Sequence, residues 1–393
     1  MSSVIVGMAR TPIGRFGGVY RPLSAVELGA VAIEGALHRS GLAADQVHET
    51  LFGHVIGAGA GQITARQAAS RGGIPMSVPA TTINKVCLSG MTAIAIADKD
   101  IRLGEATFAV AGGMESMSNA PYVLPDGRWG ARMGDSTIVD TMTHDGLWCT
   151  FDECTMGESS DRKNASLGIG REEQDAWAAE SHRRAAAAAD GGHFDGEIVP
   201  VSVPQRRGDP IVVEADEGIR RDSTVESLSK LRAAFDAEGT ITAGNASQIS
   251  DGAAAVVIAD EAAAEAADLP ILARILSYGQ VGGADPSLHE RPAEALRIAL
   301  KRTSMAPSDL DVVEINEAFA AVALWSANML DLAHTDVNVH GGAVALGHPL
   351  GATGARIVVT LINALRTRGG GIGAAALCGG GGQGDALVLE VAG

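Results

Sequence analysis

Two of the four cysteines in this 393-residue sequence sit where a thiol could react. Cys87 lies in NKVCLSGMTAIA, between an apolar, strand-like approach over residues 81–86 and an amphipathic helix pattern. A thiol at a helix N-terminus faces unpaired N–H groups and the positive end of the helix dipole, and both favour thiolate. The same N–H groups can hold an oxyanion. A buried structural cysteine is the competing reading of Cys87. Cys378 follows the apolar strand IGAAAL and precedes the glycines at 379–382. It stands at a strand end beside exposed backbone N–H groups, well placed for proton transfer at a polarised substrate. Cys149 and Cys154 read as bystanders: they form no CxxC pair, and no histidines stand at zinc-finger spacing from them.

His348 sits in the glycine-crowded run NVHGGAVALGHPLGATGAR. Glycines there permit tight turns and close ligand approach, and Pro349 suits the first position of a helix. A lone histidine is commonly structural, and His340 in the same run is read that way. Asn316, in VVEINEAFAA, ends a strand and precedes a helix. It can be an N-cap or can hold a water or an oxyanion, and spacing alone leaves both open. Gly379, Gly381 and Gly384 formally match GxGxxG, but the nine residues that follow read as the strand DALVLEVAG and not as a helix. A dinucleotide fingerprint is excluded on that ground.

The elements that must carry these residues show a repeat. The helical ELGAVAIEGALHRSGL (27–42) leads into strand-like VHETLFGHVIG (47–57), and RPAEALRIALKRTSM (291–305) leads into strand-like LDVVEINEAFA (310–320). Setting Ser40 against Ser304 aligns both pieces, and the same offset carries Cys87 onto Gly351, beside His348. Each then enters a helix followed by an apolar, glycine-ended strand. A repeated α/β unit of this size predicts two similar domains packed together, with Cys87 and His348 at equivalent helix N-termini on a shared interface. Residues 119–249 interrupt the repeat; they are too many for a bare loop and read as a subdomain over the site, with a helix at 171–194. The stretch 244–267 returns to strand and helix and completes the first half. The predicted division is 1–118 plus 250–269, 119–249, and 270–393.

Composition narrows the function. With 46% hydrophobic and 20% charged residues, 50 glycines and few aromatics, the chain suits a layered α/β protein. A net charge of −17 argues against nucleic acid as a partner, because phosphate binding needs a basic face. A small anionic ligand needs only a few local arginines. No apolar run reaches the roughly 18 residues that span a bilayer, and the opening SSVIVGMARTPIG reads as a strand and turn, not as a signal peptide. A cytoplasmic protein without a membrane partner is expected.

The motifs NKVCLSGM, NEAFA, GGAVALGHPLGATGAR and ALCGGGGQG together resemble the thiolase family, as do ARTPIGRFGG, AGGMESMS and TAGNASQISDGAA. The similarity runs from about residue 4 to the last strand. It implies two similar five-layered α/β/α/β/α halves with an inserted covering loop domain. It also implies the reversible condensation of two acetyl-CoA to acetoacetyl-CoA and CoA, by a ping-pong route through an acetyl-Cys87 intermediate. Cys87 would be the nucleophile, His348 would take its proton, and Cys378 would remove the α-proton of the second thioester. One oxyanion site would be His348 with a water held by Asn316; the other, the N–H groups of Cys87 and Gly380.

The resemblance further implies that Ser247 meets the pantetheine and Arg220 the adenine side of CoA. Leu147, Met156, Ala243 and Phe319 would line the pocket, where ordinary core is the alternative for each. CTMGESSD (154–161) resembles the short-chain biosynthetic branch, in which a methionine, here Met156, narrows the acyl pocket. Thr155 stands where that branch often has histidine, RPAF is RAAF (232–235), and SLHERP (287–292) replaces a Gly-Pro; these bear on pocket shape. A degradative 3-ketoacyl-CoA thiolase shares the catalytic set and is the nearest rival. A ketoacyl synthase lacks a second catalytic cysteine, and an inactive CoA-binding or scaffold protein has no need of Cys87, Asn316, His348 and Cys378 together. No metal or redox cofactor is implied, CoA and acetyl-CoA being substrates. The GRWGARMGDSTIVDTM stretch (127–142) resembles the loop that builds a homotetramer.

Overall fold

The computed structural model describes residues 2–393. Nine strands form its frame: β1 (Ser3–Arg10), β2 (Glu49–Gly53), β3 (Ala80–Ile83), β4 (Phe108–Ser116), β5 (Ser250–Asp260), β6 (Ala273–Gly282), β7 (Val312–Ile315), β8 (Gly371–Gly379) and β9 (Gln383–Val391). Their spatial order is β7-β8-β9-β6-β1-β5-β4-β2-β3, with the short strand Gly14–Arg15 beside β5. Outward from the β6/β1 junction the order repeats. In both directions the second strand is antiparallel to its neighbours, and the next pair is parallel. A single parallel bridge, Val313 to Val337, stands where β3 stands in the first half. The junction itself is short, pairing Val4 with Arg274 and Ile5 with Ala273.

Helices α1 (Ala25–Ser40) and α2 (Thr64–Arg71) cover the first half-sheet. A capping box between Ser24 and Glu27 starts α1, and Gly41, at φ +74°, ends it. Helices α3 (Ser89–Leu103), α4 (Met156–Leu167), α5 (Arg171–Asp190), α6 (Arg291–Thr303), α7 (Ala320–Met329) and α8 (Leu350–Thr367) follow. The pair α6 and α7 flanks the second half-sheet, while α3 and α8 pack on each other and on strands of both halves. The five layers are therefore shared: outer helices, half-sheet, the α3/α8 layer, half-sheet, outer helices. Every residue of α8 from 350 to 365 is buried, the polar Thr353, Arg356, Thr360 and Asn363 included. Gly90 makes the close approach possible, since a Cβ there would stand 2.8 Å from the backbone N of Ala355.

The repeat read from the sequence is thus seen in α1 and α6, β2 and β7, and α3 and α8. The strands around it are shorter than predicted. The ladder stops at Gly53 and at Ile315, and the next residues turn out of the sheet toward the site. Within 119–249 the chain forms small strand pairs: Tyr122–Val123 with Val139–Asp140, Trp148–Cys149 with Cys154–Thr155, and Val201–Val203 with Ile211–Val213. Between them lie a π-helical turn (Met142–Leu147), α4 and α5, which ends at Asp190. Buried Arg10 ties this region to β1 through Glu197 (2.6 Å) and Asp216 (2.7 Å). Among the described residues no helix is long and apolar enough to cross a membrane.

Candidate active site

Cys87 stands on a strained turn between β3 and α3. Val86, a β-branched residue, adopts φ +51°, a conformation that costs about 1–3 kcal/mol unless its surroundings hold it. They do: Asn84 Oδ1 accepts the Val86 N–H (3.1 Å), and Ser89 Oγ donates to the Val86 carbonyl (2.6 Å) while accepting the Lys85 N–H (2.8 Å). Lys85 Nζ pairs with Asp385 Oδ1 at 2.7 Å, and Thr92 donates to the other oxygen at 2.8 Å. Asp385 is in register with Leu377, next to Cys378. One ion pair thus fastens the Cys87 turn to the strands that carry the second cysteine.

The Cys87 thiol is buried, and burial pushes it up to about 12. The backbone N–H groups of Cys87 and Gly380 pull the other way. These are the two groups expected to form an oxyanion hole, and both lie at the sulfur. Gly381 (φ +78°) and Gly382 (φ +67°) make the tight turn from β8 to β9 that presents Gly380. The glycine run is therefore a hairpin, not a nucleotide loop. Cys378, near the end of β8 opposite Gly384, is 1% exposed, and burial followed by the neighbouring Cys87 raises its thiol well above the ordinary range. Neither thiol ionises unaided, so a base is needed.

His348, on the same cavity as the two thiols, is neutral. Burial, then the nearby Arg356, pushes it down to about 3. The Thr353 hydroxyl donates its single proton to the Pro349 carbonyl (2.9 Å), so at 2.7 Å it accepts from His348 Nδ1. That leaves the lone pair on Nε2, 3.5 Å from Asn316 Nδ2. Asn316 Oδ1 is buried with no partner among the described residues, an open acceptor beside the histidine. Asn316 does not cap a helix: it follows β7, and α7 begins only at Ala320, with Phe319 as its N-cap. Pro349 likewise stands one place before the first helical residue, as the N-cap of α8. His340 is structural, stacked on His193 with ring centroids 4.8 Å apart.

A cavity of about 560 Å³ joins the two cysteines and His348; neither Asn316 nor Gly380 is among its lining residues. Its wall holds Cys87, His348 and Cys378 together with Ser247, Arg220, Met156, Leu147, Ala243 and Phe319, so every residue expected to line the pocket reaches it. Met156 packs in one apolar cluster with Cys378 and Phe319, and Leu147 in another with Cys87. Of the three departures noted in the sequence, Thr155 lines the cavity itself, while the 232–235 stretch reaches it through Ala234 and Phe235 and not through the altered Ala233, and the 287–292 stretch through Leu288; the Phe235 ring meets Phe319 edge-on. Arg15 and Arg220 sit at the exposed end, and neither forms a salt bridge among the described residues.

Sequence reasoning missed Arg15, Phe16 and, above all, Glu115. This fully buried carboxylate accepts the N–H groups of Val55 (3.1 Å), Ile56 (3.2 Å) and Gly351 (2.9 Å), with His54 Nε2 at 3.4 Å. Burial raises it to about 7, against those three N–H groups. It pins the start of α8, and with it His348. An acid inside the apolar run FAVAGGMES was the available signal.

A reactive cysteine on a strained helix-entry turn, a second cysteine and a lone-pair histidine around one cavity, on a doubled α/β frame, define a family. Residues 3–262 match the thiolase N-terminal domain and residues 269–391 the thiolase C-terminal domain, and the chain belongs to the thiolase family. It is 51% identical over 387 residues to a protein of Mycolicibacterium smegmatis described as a probable acetyl-CoA acetyltransferase, covering 98% of this chain and 100% of that one. Acetyl-CoA acetyltransferases of Cupriavidus necator and Pseudomonas aeruginosa are 49% and 48% identical to it, each over 98% of both chains.

Proposed function

We propose that this chain is an acetyl-CoA C-acetyltransferase that condenses two acetyl-CoA to acetoacetyl-CoA and CoA, reversibly. The observation that carries the reading is the meeting of Cys87, His348 and Cys378 on one cavity whose apolar end is closed by Met156, Phe319 and Leu288. In the first half-reaction His348 Nε2 takes the Cys87 proton as the sulfur attacks the thioester carbon. The oxyanion forms against the N–H groups of Cys87 and Gly380, where one such donor is worth about 3–4 kcal/mol of transition-state stabilisation. CoA leaves with the proton from Nε2, and acetyl-Cys87 remains.

In the second half-reaction Cys378, as thiolate, removes the α-proton of the incoming acetyl-CoA, the enolate carbon attacks the acetyl group, the C–S bond to Cys87 breaks, and the departing Cys87 sulfur takes that proton back from Cys378. The enolate oxygen faces His348 and a water held by Asn316. Arg15 and Arg220, free of carboxylate partners among the described residues, suit the phosphates and adenine end of CoA, with Ser247 at the pantetheine.

Two reduced thiols suit a reducing compartment, which supports a cytoplasmic setting. The division 1–118 plus 250–269, 119–249 and 270–393 fits the half-sheets and the insertion. A homotetramer is supported by Trp129 and Met133, which are 78% and 98% exposed in the segment expected to join subunits.

The test is thiolysis of a four-carbon against an eight-carbon 3-ketoacyl-CoA. Turnover of the first that fades with the second supports the assignment, while strong eight-carbon activity moves it to a degradative thiolase. Cys87→Ala is expected to abolish acylation. Cys378→Ala is expected to form the acetyl-enzyme from acetyl-CoA, seen by intact mass, without condensing it. Acylation of Cys87→Ala would overturn the division of labour between the two cysteines.

A further inference from the structure

Cys149 and Cys154 lie outside the chemistry above, yet the fold places them together. They are directly opposed partners in the two-pair antiparallel ladder Trp148–Cys149 with Cys154–Thr155. Opposed residues in such a ladder have Cα atoms about 4.5–5.5 Å apart and project from the same face, inside the roughly 4.4–6.8 Å window of a disulfide. Both side chains are buried on that face, while Trp148 and the turn residue Phe151 are 40% and 75% exposed. All four cysteines are free thiols.

The ladder is also part of the site. Leu147 precedes it and Met156 follows it, and both line the cavity. At its tip the Phe151 ring lies against Gly381, beside the Gly380 N–H.

We propose that Cys149 and Cys154 form a reversible disulfide, a redox-modification site separate from Cys87 and Cys378 that cross-braces one wall of the substrate cavity. The oxidant is a low-molecular-weight disulfide. One cysteine, as thiolate, attacks a sulfur of the oxidant, whose S–S bond breaks and releases one thiol. The second cysteine attacks the protein sulfur of that mixed disulfide and releases a second thiol. The protein loses two electrons and two protons, and the oxidant is reduced to two thiols that carry the protons away. A ladder of only two pairs with an exposed turn opens locally at low cost, which gives the oxidant access. Burial raises the Cys154 thiol, so the exchange quickens as pH rises. With the brace in place Leu147 and Met156 are held closer to one setting, and the readout is a change in KM for the acyl-CoA with the yield of acetyl-Cys87 unchanged.

The experiment treats the full-length protein with oxidised glutathione, after acetyl-CoA has acylated Cys87. Peptide mass mapping then follows. The expected result is a peptide containing both Cys149 and Cys154 that has lost two hydrogens, restored by dithiothreitol, with a KM shifted by about twofold or more. Cys149→Ser should abolish both the mass loss and the KM shift. A bond between Cys87 and Cys378 alone, stable glutathione adducts on Cys149 or Cys154, or two free thiols after oxidation would each overturn the proposal. The mapping reads thiols and not turnover, so the disulfide is scored even in a protein that acetyl-CoA fails to acylate; only the KM shift rests on the acyl-transfer reading.

Discussion

At the scale of single residues, the site depends on a proton held in the right place. The resting His348 can accept from Cys87 only if Nε2 is bare, and the Thr353 hydroxyl enforces this by taking Nδ1–H. Thr353→Val removes that acceptor and frees the ring to place its proton on either nitrogen. Its kcat is expected to fall about tenfold to a hundredfold, up to the lower end of a full general-base contribution because the base is disordered and not removed, with KM little changed and the pH–rate profile displaced. Thr353→Ser keeps the hydroxyl and should keep most of the rate; equal losses in both variants would show a packing role instead. The candidate residues were legible through four family motifs standing in order; a histidine among glycines does not suffice, as His340, stacked on His193, shows. Glu115 was marked only as an acid inside an apolar run; what it holds was not legible, because its partners are backbone N–H groups of residues 55, 56 and 351, which no side-chain pattern announces.

At the scale of elements, two stretches far apart in sequence must agree on where a cavity lies. The Lys85–Asp385 pair makes the Cys87 turn and the β8–β9 hairpin one unit. Asp385→Asn keeps the shape but loses the charge, leaving Lys85 with a weaker partner. Because Lys85 is 19% exposed, the stability cost is expected near 1–3 kcal/mol, below that of a fully buried pair. Thermal unfolding should show it, together with a fall in kcat. Wild-type kcat in a folded Asp385→Asn protein would dismiss the coupling. The repeated helices and strands could be read from periodicity because each carries its own pattern. Residues 119–249 could not, since their course is set by distant partners such as Arg10 with Glu197 and Asp216.

At the scale of the whole molecule, acid should be the weak side. His54, His182 and His340 are pushed to about 4 and His289 and His348 to about 3, all chiefly by burial. Each stays neutral when folded but takes a proton near 6.5 when unfolded, so the stability it contributes is present above about 6.5 and lost as pH falls. Glu115 and Glu314, raised by burial to about 7 and about 8, act oppositely. Their contribution is present below their unfolded value of 4.5 and is lost as pH rises through 7 and 8. Glu49, raised by burial to about 7, acts with them, so among the groups shifted furthest five rings oppose three carboxyls below pH 6.5. The midpoint of thermal unfolding should therefore drop steadily between pH 6.5 and 4, and a flat profile there would contradict the burial of these rings.

The place of β9 in the sheet sets an order of events. It pairs with β8 on one side and β6 on the other, and it follows both along the chain. Until β9 is in place, β6 and β8 each present an unpaired edge, and edges of that kind invite wrong partners. Gly380 leads into the β8–β9 turn, so its position is set only when β9 pairs. An unfinished copy of this protein would be sticky before it could be active.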